Sequence, residues 1–356
     1  MATLKEIFTF ENLKMAHELC RHSQQHKRGT IMFEMELSKN LVTLSEQLQN
    51  RKYKPGRHKQ FKLYDPKERL IDALPYKDRV VLMCFTKKVL EPELEKRVIY
   101  DNAASRKNKG THFAVKRLHQ FMQSNFSENK ANCGYYLKCD ISKYFASIDH
   151  DILIEKLRKE NFSDDEMWFI ELTIRTYEKD GVPLGNHTSQ WFAIFFLDSL
   201  DRLIKEKLCV KHYTRYMDDF ILIHSDKDYL RYCKQEIERE CCRLRIRLNQ
   251  NKSQIGMLRN GIDYLGFNHK LSSTGKILRR VRASAMIRNK HYLKTIVELY
   301  ENGIIGEDWI SIRKQAFLNH MKGTAGIKVV HKGIKEIKYK KTQNKFRMGK
   351  KIVIDF

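Results

Sequence analysis

The sequence predicts an α+β fold in which helices cover one face of an antiparallel sheet. Three observations carry this. The apolar run "YYLKCDI", residues 135–141, has strand character, "HYTRYMDDFILIHS" from residue 212 reads as strand, turn, strand, and the segments around them place apolar residues at helical spacing.

Taken in order, residues 1–50 hold no Pro and one Gly, and their periodicity predicts two helices broken near "HKRGT". Pro-Gly and Asp-Pro turns then divide residues 53–75 into short alternating runs, a small basic hairpin. Helical periodicity returns in "YKDRVVLMCFTKKVLEPELEKRV". The strand at 135 ends in a turn and enters a helix with Asp149 as its N-cap. The loop "DGVPLGNHTSQ" precedes a helix over roughly 188–207, and a long charged helix over about 227–247 follows the strand pair. From 262 come a short strand pair, "IDYLGFNHKLSSTGKILRR", and helices to about 322.

The 68 Lys and Arg exceed the 43 Asp and Glu by 25 in a chain of 356 residues, which calls for a polyanionic partner. At 42% hydrophobic and 11% aromatic, the chain is ordered and globular rather than disordered. Apolar runs such as "WFAIFFL" are too short to span a bilayer, and the first residues lack the order of a signal peptide, so a cytoplasmic protein without a membrane partner is expected. Eight cysteines with no CxxC pair and no zinc spacing read as reduced thiols. Residues 328–351 hold ten Lys or Arg against one Glu, and Tyr339 and Phe346 lie among them, a composition suited to RNA.

Asp218 and Asp219 stand side by side between apolar runs, where two like charges are costly unless a cation neutralises them. A solvated acidic turn would read the same in isolation. Asp140 ends a second apolar strand, and neighbouring strands would bring the three acids to one edge. Carboxylates so gathered hold two Mg²⁺ ions about 3.5–4 Å apart in enzymes that displace phosphoryl groups in line.

The ordered set "CDISKYFASID", "GVPLGNHTSQWFAIFFLDSLD", "YMDDF", "NQNKSQI" and "YLGF" resembles the palm motifs of reverse transcriptases, over roughly residues 50–320. Within that family the chain is most similar to the reverse transcriptases of diversity-generating retroelements, on "LYDPKERLIDALPYKDRVV", "YDNAASRKNKGTHFAVKRLHQF" and above all "LGNHTSQ". Most other members have Gln before Gly in this last motif, where Leu184 stands here. Faithful or defence-related bacterial reverse transcriptases, and an RNA-binding component of a complex without processive synthesis, stay open as alternatives.

The resemblance implies a right-hand polymerase fold: an N-terminal helical extension (1–50), fingers (51–134, with parts of 155–185), a ferredoxin-like palm (135–270), a short helical thumb (271–327) and a basic tail (328–356). It implies RNA-directed DNA synthesis from deoxynucleoside triphosphates with Mg²⁺, for which Mn²⁺ would substitute. A template RNA, a primer that becomes cDNA, errors at template adenines, and an accessory variability determinant with a basic barrel-like oligomer complete the expectation.

By resemblance Asp140, Asp218, Asp219 and the Ile141 carbonyl hold metal, and Lys252 lies near the departing pyrophosphate. Arg69, helped by Lys62, grips the triphosphate, a role suited to a planar guanidinium. Phe145 matches the ring that excludes a 2′-hydroxyl, while its neighbour Tyr144 reads as packing. Leu184, Gly185 and Gln190 line the nucleotide, with Leu184 loosening selection for want of a polar contact. Ser189, Arg106, Lys107 and Lys109 meet template or primer, and Tyr264, Leu265, Gly266 and Phe267 hold the primer terminus.

Overall fold

The computed structural model describes residues 2–22, 24–64, 68–129 and 133–321. The expected basic tail, with Tyr339 and Phe346, lies outside them. Two compact units divide the chain, residues 1–258 and those from Arg259 onward.

The first unit begins with four helices where the periodicity predicted two: α1 (Leu4–Ile7), α2 (Phe10–Arg21), α3 (Arg28–Met35) and α4 (Leu37–Gln49). Thr9, extended at φ −70°, ψ 160°, caps α2 by accepting from the Asn12 N–H, and Glu36 at φ −126° separates α3 from α4. Apolar periodicity runs through both breaks, which is why it hides them. The hairpin β1 (Lys59–Leu63) and β2 (Arg69–Ala73) follows, then α5 (Tyr76–Phe85), a π-turn (Thr86–Leu90), α6 (Glu91–Leu94) and α7 (Thr111–Asn129). Phe8, Phe85 and Phe169 meet at the centre of the core, with ring centroids of Phe85 and Phe169 4.5 Å apart.

Strand β3 (Tyr135–Asp140) leads through a 3₁₀ turn to α8 (His150–Arg158), whose N-cap is Asp149, accepting from the Asp151 and Ile152 N–H groups at 3.0 Å as expected. Ser163 opens α9 (Asp164–Arg175) with a capping box to Glu166. The helix expected over 188–207 is three segments, α10 (His187–Phe196), α11 (Asp198–Arg202) and a π-turn (Leu203–Lys207). Strands β4 (His212–Tyr216) and β5 (Asp219–His224) form the expected hairpin, α12 (Lys227–Arg243) follows, and β6 (Gln254–Met257) completes the sheet.

The sheet is antiparallel in the order β4, β5, β3, β6. Four consecutive residues of β5, Phe220 to Ile223, are at most 1% exposed. Successive side chains point to opposite faces, so the sheet is covered on both faces here rather than on one. Helix α12 packs against β3, β5 and β6, and α7 against β4 and β5. All eight cysteines are free thiols.

The second unit holds three strands where two were expected, β7 (Ile262–Tyr264), β8 (Phe267–Leu271) and β9 (Ile277–Val281), and then α13 (Ala283–Glu301) and α14 (Glu307–Met321). Among the described residues no helix is long and apolar enough to cross a membrane.

Candidate active site

Register decides where the acids stand. Asp140, the last residue of β3, faces Asp219, the first of β5, and Asp218 lies in the two-residue turn between β4 and β5. That turn needs Met217 at φ +56°, an uncommon conformation for a side chain other than glycine. Arg215, 0% exposed, holds it: Nη1 donates to the Met217 carbonyl at 3.0 Å, while Nε and Nη2 grip Asp201, whose carboxylate also accepts from Tyr213 Oη at 2.6 Å.

Asp140 and Asp218 border a cleft of about 750 Å³, lined also by Arg69, Ile141, Phe145, Leu184 and Lys252, so that seven of the residues expected on sequence grounds line it; Asp219 does not. Burial pushes the Asp218 carboxyl above the usual range and the charge of Asp140 adds to it, with Lys252 and Arg69 opposing. Asp219 is pushed up to about 6, chiefly by burial, with Lys138 opposing and both other acids adding. The Lys252 ammonium lies 2.6 Å from Asp140 Oδ2, and Lys138 lies 3.3 Å from Asp219 Oδ2.

Among the described residues no three acidic, imidazole or thiol side chains converge as a closed ligand set, and Asp140 and Asp219 are each paired with a lysine. The donor chemistry nevertheless fits a divalent cation. Asp219 Oδ1 is buried with no hydrogen-bond partner, and burial with the charge of neighbouring acids raises the Asp218 and Asp219 carboxyls, which a bound cation would offset. An antiparallel bridge of Ile141 with Leu248 uses the carbonyls of Asp140 and Arg247 and leaves that of Ile141 outside it.

Phe145 is set by its backbone, whose carbonyl accepts from the Val182 N–H at 2.7 Å. Gly181, at φ +81°, lies so close that a Cβ there would fall onto the Phe145 carbonyl and the Ala146 backbone. Tyr144 is 3% exposed, donates its hydroxyl to the Ala193 carbonyl and also lines the cleft beside Phe145. The Leu184 carbonyl accepts from the Asp72 N–H at 3.3 Å, and Gly185 at φ +118° lies against Ile71.

Several expected contacts go elsewhere. Lys62 pairs with Glu68 at 2.7 Å on the exposed hairpin and does not border the cleft. Gln190 accepts from Ser105 Oγ at 2.9 Å, Ser189 is 2% exposed, and neither lines the cleft. The Arg106 guanidinium, 6% exposed, is occupied by Glu95 and the carbonyls of Ile99 and Asn102. Lys109 lies 4.4 Å over the Tyr100 ring and donates to the Tyr100 carbonyl, and burial lowers its pKa to about 8. Lys107 alone of these three cations is exposed.

In the second unit, Tyr264 and Phe267 are 0% and 6% exposed, so their rings are core. The turn between them presents Leu265 at φ +45° and Gly266 at φ +88°. The sequence reading missed Lys143, Lys179 and Asn249, which line the cleft, and Asp72 and Tyr177 at its wall. Asn249, Lys143 and Asp72 stood in the quoted "NQNKSQI", "CDISKYFASID" and "LYDPKERLIDALPYKDRVV" without being singled out, while Tyr177 and Lys179 stood in no quoted motif.

Residues 59–269 match the family described as reverse transcriptase (RNA-dependent DNA polymerase). The chain belongs to the reverse transcriptase family. Its fold is similar to that of telomerase from Candida tropicalis, solved in complex with a TWJ fragment of telomeric RNA, at TM-score 0.50 and 14% identity over 84% of this chain and 58% of that one. Telomerase from Candida albicans, solved with the same kind of fragment, gives TM-score 0.49 and 12% identity over 85% of this chain and 61% of that one. The chain thus spans about three fifths of these telomerase chains. No curated protein sequence matches it. The family and the mixed architecture together make this a reverse transcriptase domain of polymerase fold, and domains of this family use divalent metal ions.

Proposed function

We propose that the chain is an RNA-directed DNA polymerase that copies a retroelement RNA into cDNA with errors at template adenines, as in a diversity-generating retroelement. The mutagenic part of this reading is supported by Leu184, which lines the cleft and, by the resemblance, stands where most other reverse transcriptases have Gln. An aliphatic side chain offers no hydrogen bond to the sugar or base, and loss of such a contact weakens discrimination.

In this reading Asp140, Asp218 and Asp219 hold two Mg²⁺ ions, or Mn²⁺ in their place, with the Ile141 carbonyl assisting. Metal ions bound there would supply a lowered pKa for the attacking hydroxyl and charge stabilisation for the leaving oxygen. The chain's own residues do the rest. Arg69 clamps the triphosphate with its planar fork, Phe145 excludes a 2′-hydroxyl, and Lys252 supplies a proton beside the leaving pyrophosphate. Residues 51–134 act as fingers, 135–270 as palm and 271–327 as thumb. Lys107 and the basic tail meet RNA, the protein works in the cytoplasm, and a basic accessory protein joins it.

The test is primer extension with Mg²⁺ on an RNA template containing all four bases, with sequencing of the product. Errors confined to template adenines, reduced by Leu184→Gln, are the expected result. Faithful cDNA would leave the polymerase and remove its mutagenic purpose. Equal error rates for Leu184→Gln and the parent chain would remove the role of Leu184.

A further inference from the structure

Asp72, in β2, is 4% exposed, and its carboxylate accepts from three directions: Gln60 Nε2 at 2.7 Å, Tyr177 Oη at 2.9 Å and Lys179 Nζ at 3.1 Å. Gln60 faces it across the hairpin, in register. Tyr177 and Lys179 belong to the loop after α9. On the backbone side, the Asp72 N–H donates to the Leu184 carbonyl, and the adjacent Ile71 packs against Gly185. One residue therefore ties the hairpin that carries Arg69 to both loops that close the nucleotide cleft.

The hairpin has little else to hold it. All five residues of β1 are exposed, and a two-stranded ribbon is marginally stable by itself. On the far side of Asp72, Tyr177 and Lys179 lies a second open cleft of about 690 Å³, bordered also by Arg57 and His58. The cluster is thus a thin partition between two clefts. A buried carboxylate that accepts from three donors is a strong and directional anchor for such a partition.

We propose that Asp72 is a positioning residue for nucleotide selection: it latches the hairpin so that Arg69 and Leu184 keep a fixed separation across the cleft. The inference rests on the polymerase reading. With Arg69 on the phosphates and Leu184 beside the sugar and base, the latch sets how far a nucleotide must reach to satisfy both. Release of the latch weakens capture of the correct nucleotide and relaxes rejection of the wrong one.

The experiment is single-nucleotide incorporation by the full chain on an RNA template and DNA primer, comparing Asp72→Ala, Asp72→Asn and Tyr177→Phe with the parent chain. Asp72→Ala is expected to raise KM for the correct nucleotide about tenfold, keep kcat within about threefold, and raise the ratio of wrong to right incorporation. Asp72→Asn keeps an acceptor oxygen and recovers most of the loss, while Tyr177→Phe shifts KM in the same direction by less. A lowered melting temperature with unchanged KM and unchanged error ratio would overturn the latch, as would a fall in kcat at constant KM. Should Asp72→Ala not fold, the other two variants decide by the same criteria. Limited trypsin digestion reads the latch without catalysis: faster cleavage after Lys59, Lys62 or Arg69 in the variants supports it, and equal rates overturn it. A parent chain that extends no primer would refute the polymerase reading, and the digestion would still decide whether Asp72 holds the hairpin.

Discussion

Replacing Arg215 by Met removes a guanidinium that is 0% exposed and leaves Asp201, itself 0% exposed, with Tyr213 as its remaining side-chain partner. Four donations are lost with it: two to the Asp201 carboxylate, one to the Met217 carbonyl and one to the Ile194 carbonyl. Breaking a buried pair from one side typically costs about 3–5 kcal/mol, because a charge is left in low dielectric without compensation. Against a total stability of about 5–15 kcal/mol this is a large fraction. Urea unfolding followed by circular dichroism measures the loss, with Arg215→Met and Asp201→Leu made singly and together. The double variant is expected to lose less than the sum of the singles by at least about 2 kcal/mol, since it removes both charges. In the folded single variant, kcat should fall as well, because nothing then fixes the Met217 carbonyl beside Asp218. A loss below about 1 kcal/mol for Arg215→Met, the range of exposed pairs, would refute the reasoning.

Three further outcomes are expected. Gly181→Ala forces a side chain onto the Phe145 backbone at φ +81°, so it should cost at least about 1–3 kcal/mol of stability and weaken rejection of ribonucleotides, read by melting and by incorporation of matched ribo- and deoxynucleotides. Asp218→Ala with Asp219→Ala, or EDTA on the parent chain, should abolish primer extension and spare RNA binding measured by filter retention. Burial lowers the Lys156 pKa to about 8, below its ordinary 10.5, so the folded state resists its protonation. The stability tied to Lys156 is therefore present above about pH 10.5 and lost as pH falls through about 8, and Lys156→Met should flatten the rise in stability over that window in urea titrations.

What was legible in the sequence follows from the range of each interaction. Asp149 as a helix cap and the Asp218 turn are local, and a few residues of pattern determine them. The seven cleft residues were legible through the family resemblance, since no local rule places Arg69 beside Asp218. Arg106 and Lys109 misled because a cation in a basic segment reads as a nucleic-acid contact, whereas Glu95 and the Tyr100 ring, its neighbours in space, had claimed them. Tyr264 and Phe267 misled similarly, since an aromatic ring at a turn carries no mark of whether it faces inward. Asp72 was unreadable because its donors, Tyr177 and Lys179, lie more than a hundred residues away.

The double-sided burial of β5 has a consequence for where chemistry is possible at all. A sheet wetted on one face tolerates polar residues along every strand, so its geometry leaves the location of a catalytic group open. Here the middle of β5 is dry on both sides, and the strand first admits a carboxylate at its end, at Asp219. The acids stand where a medium of low dielectric meets water, and there a cation arriving from solution is felt far more strongly than it would be on an open surface. The fold thus keeps carboxylates out of the dry middle of β5 and admits one only where the strand reaches its end.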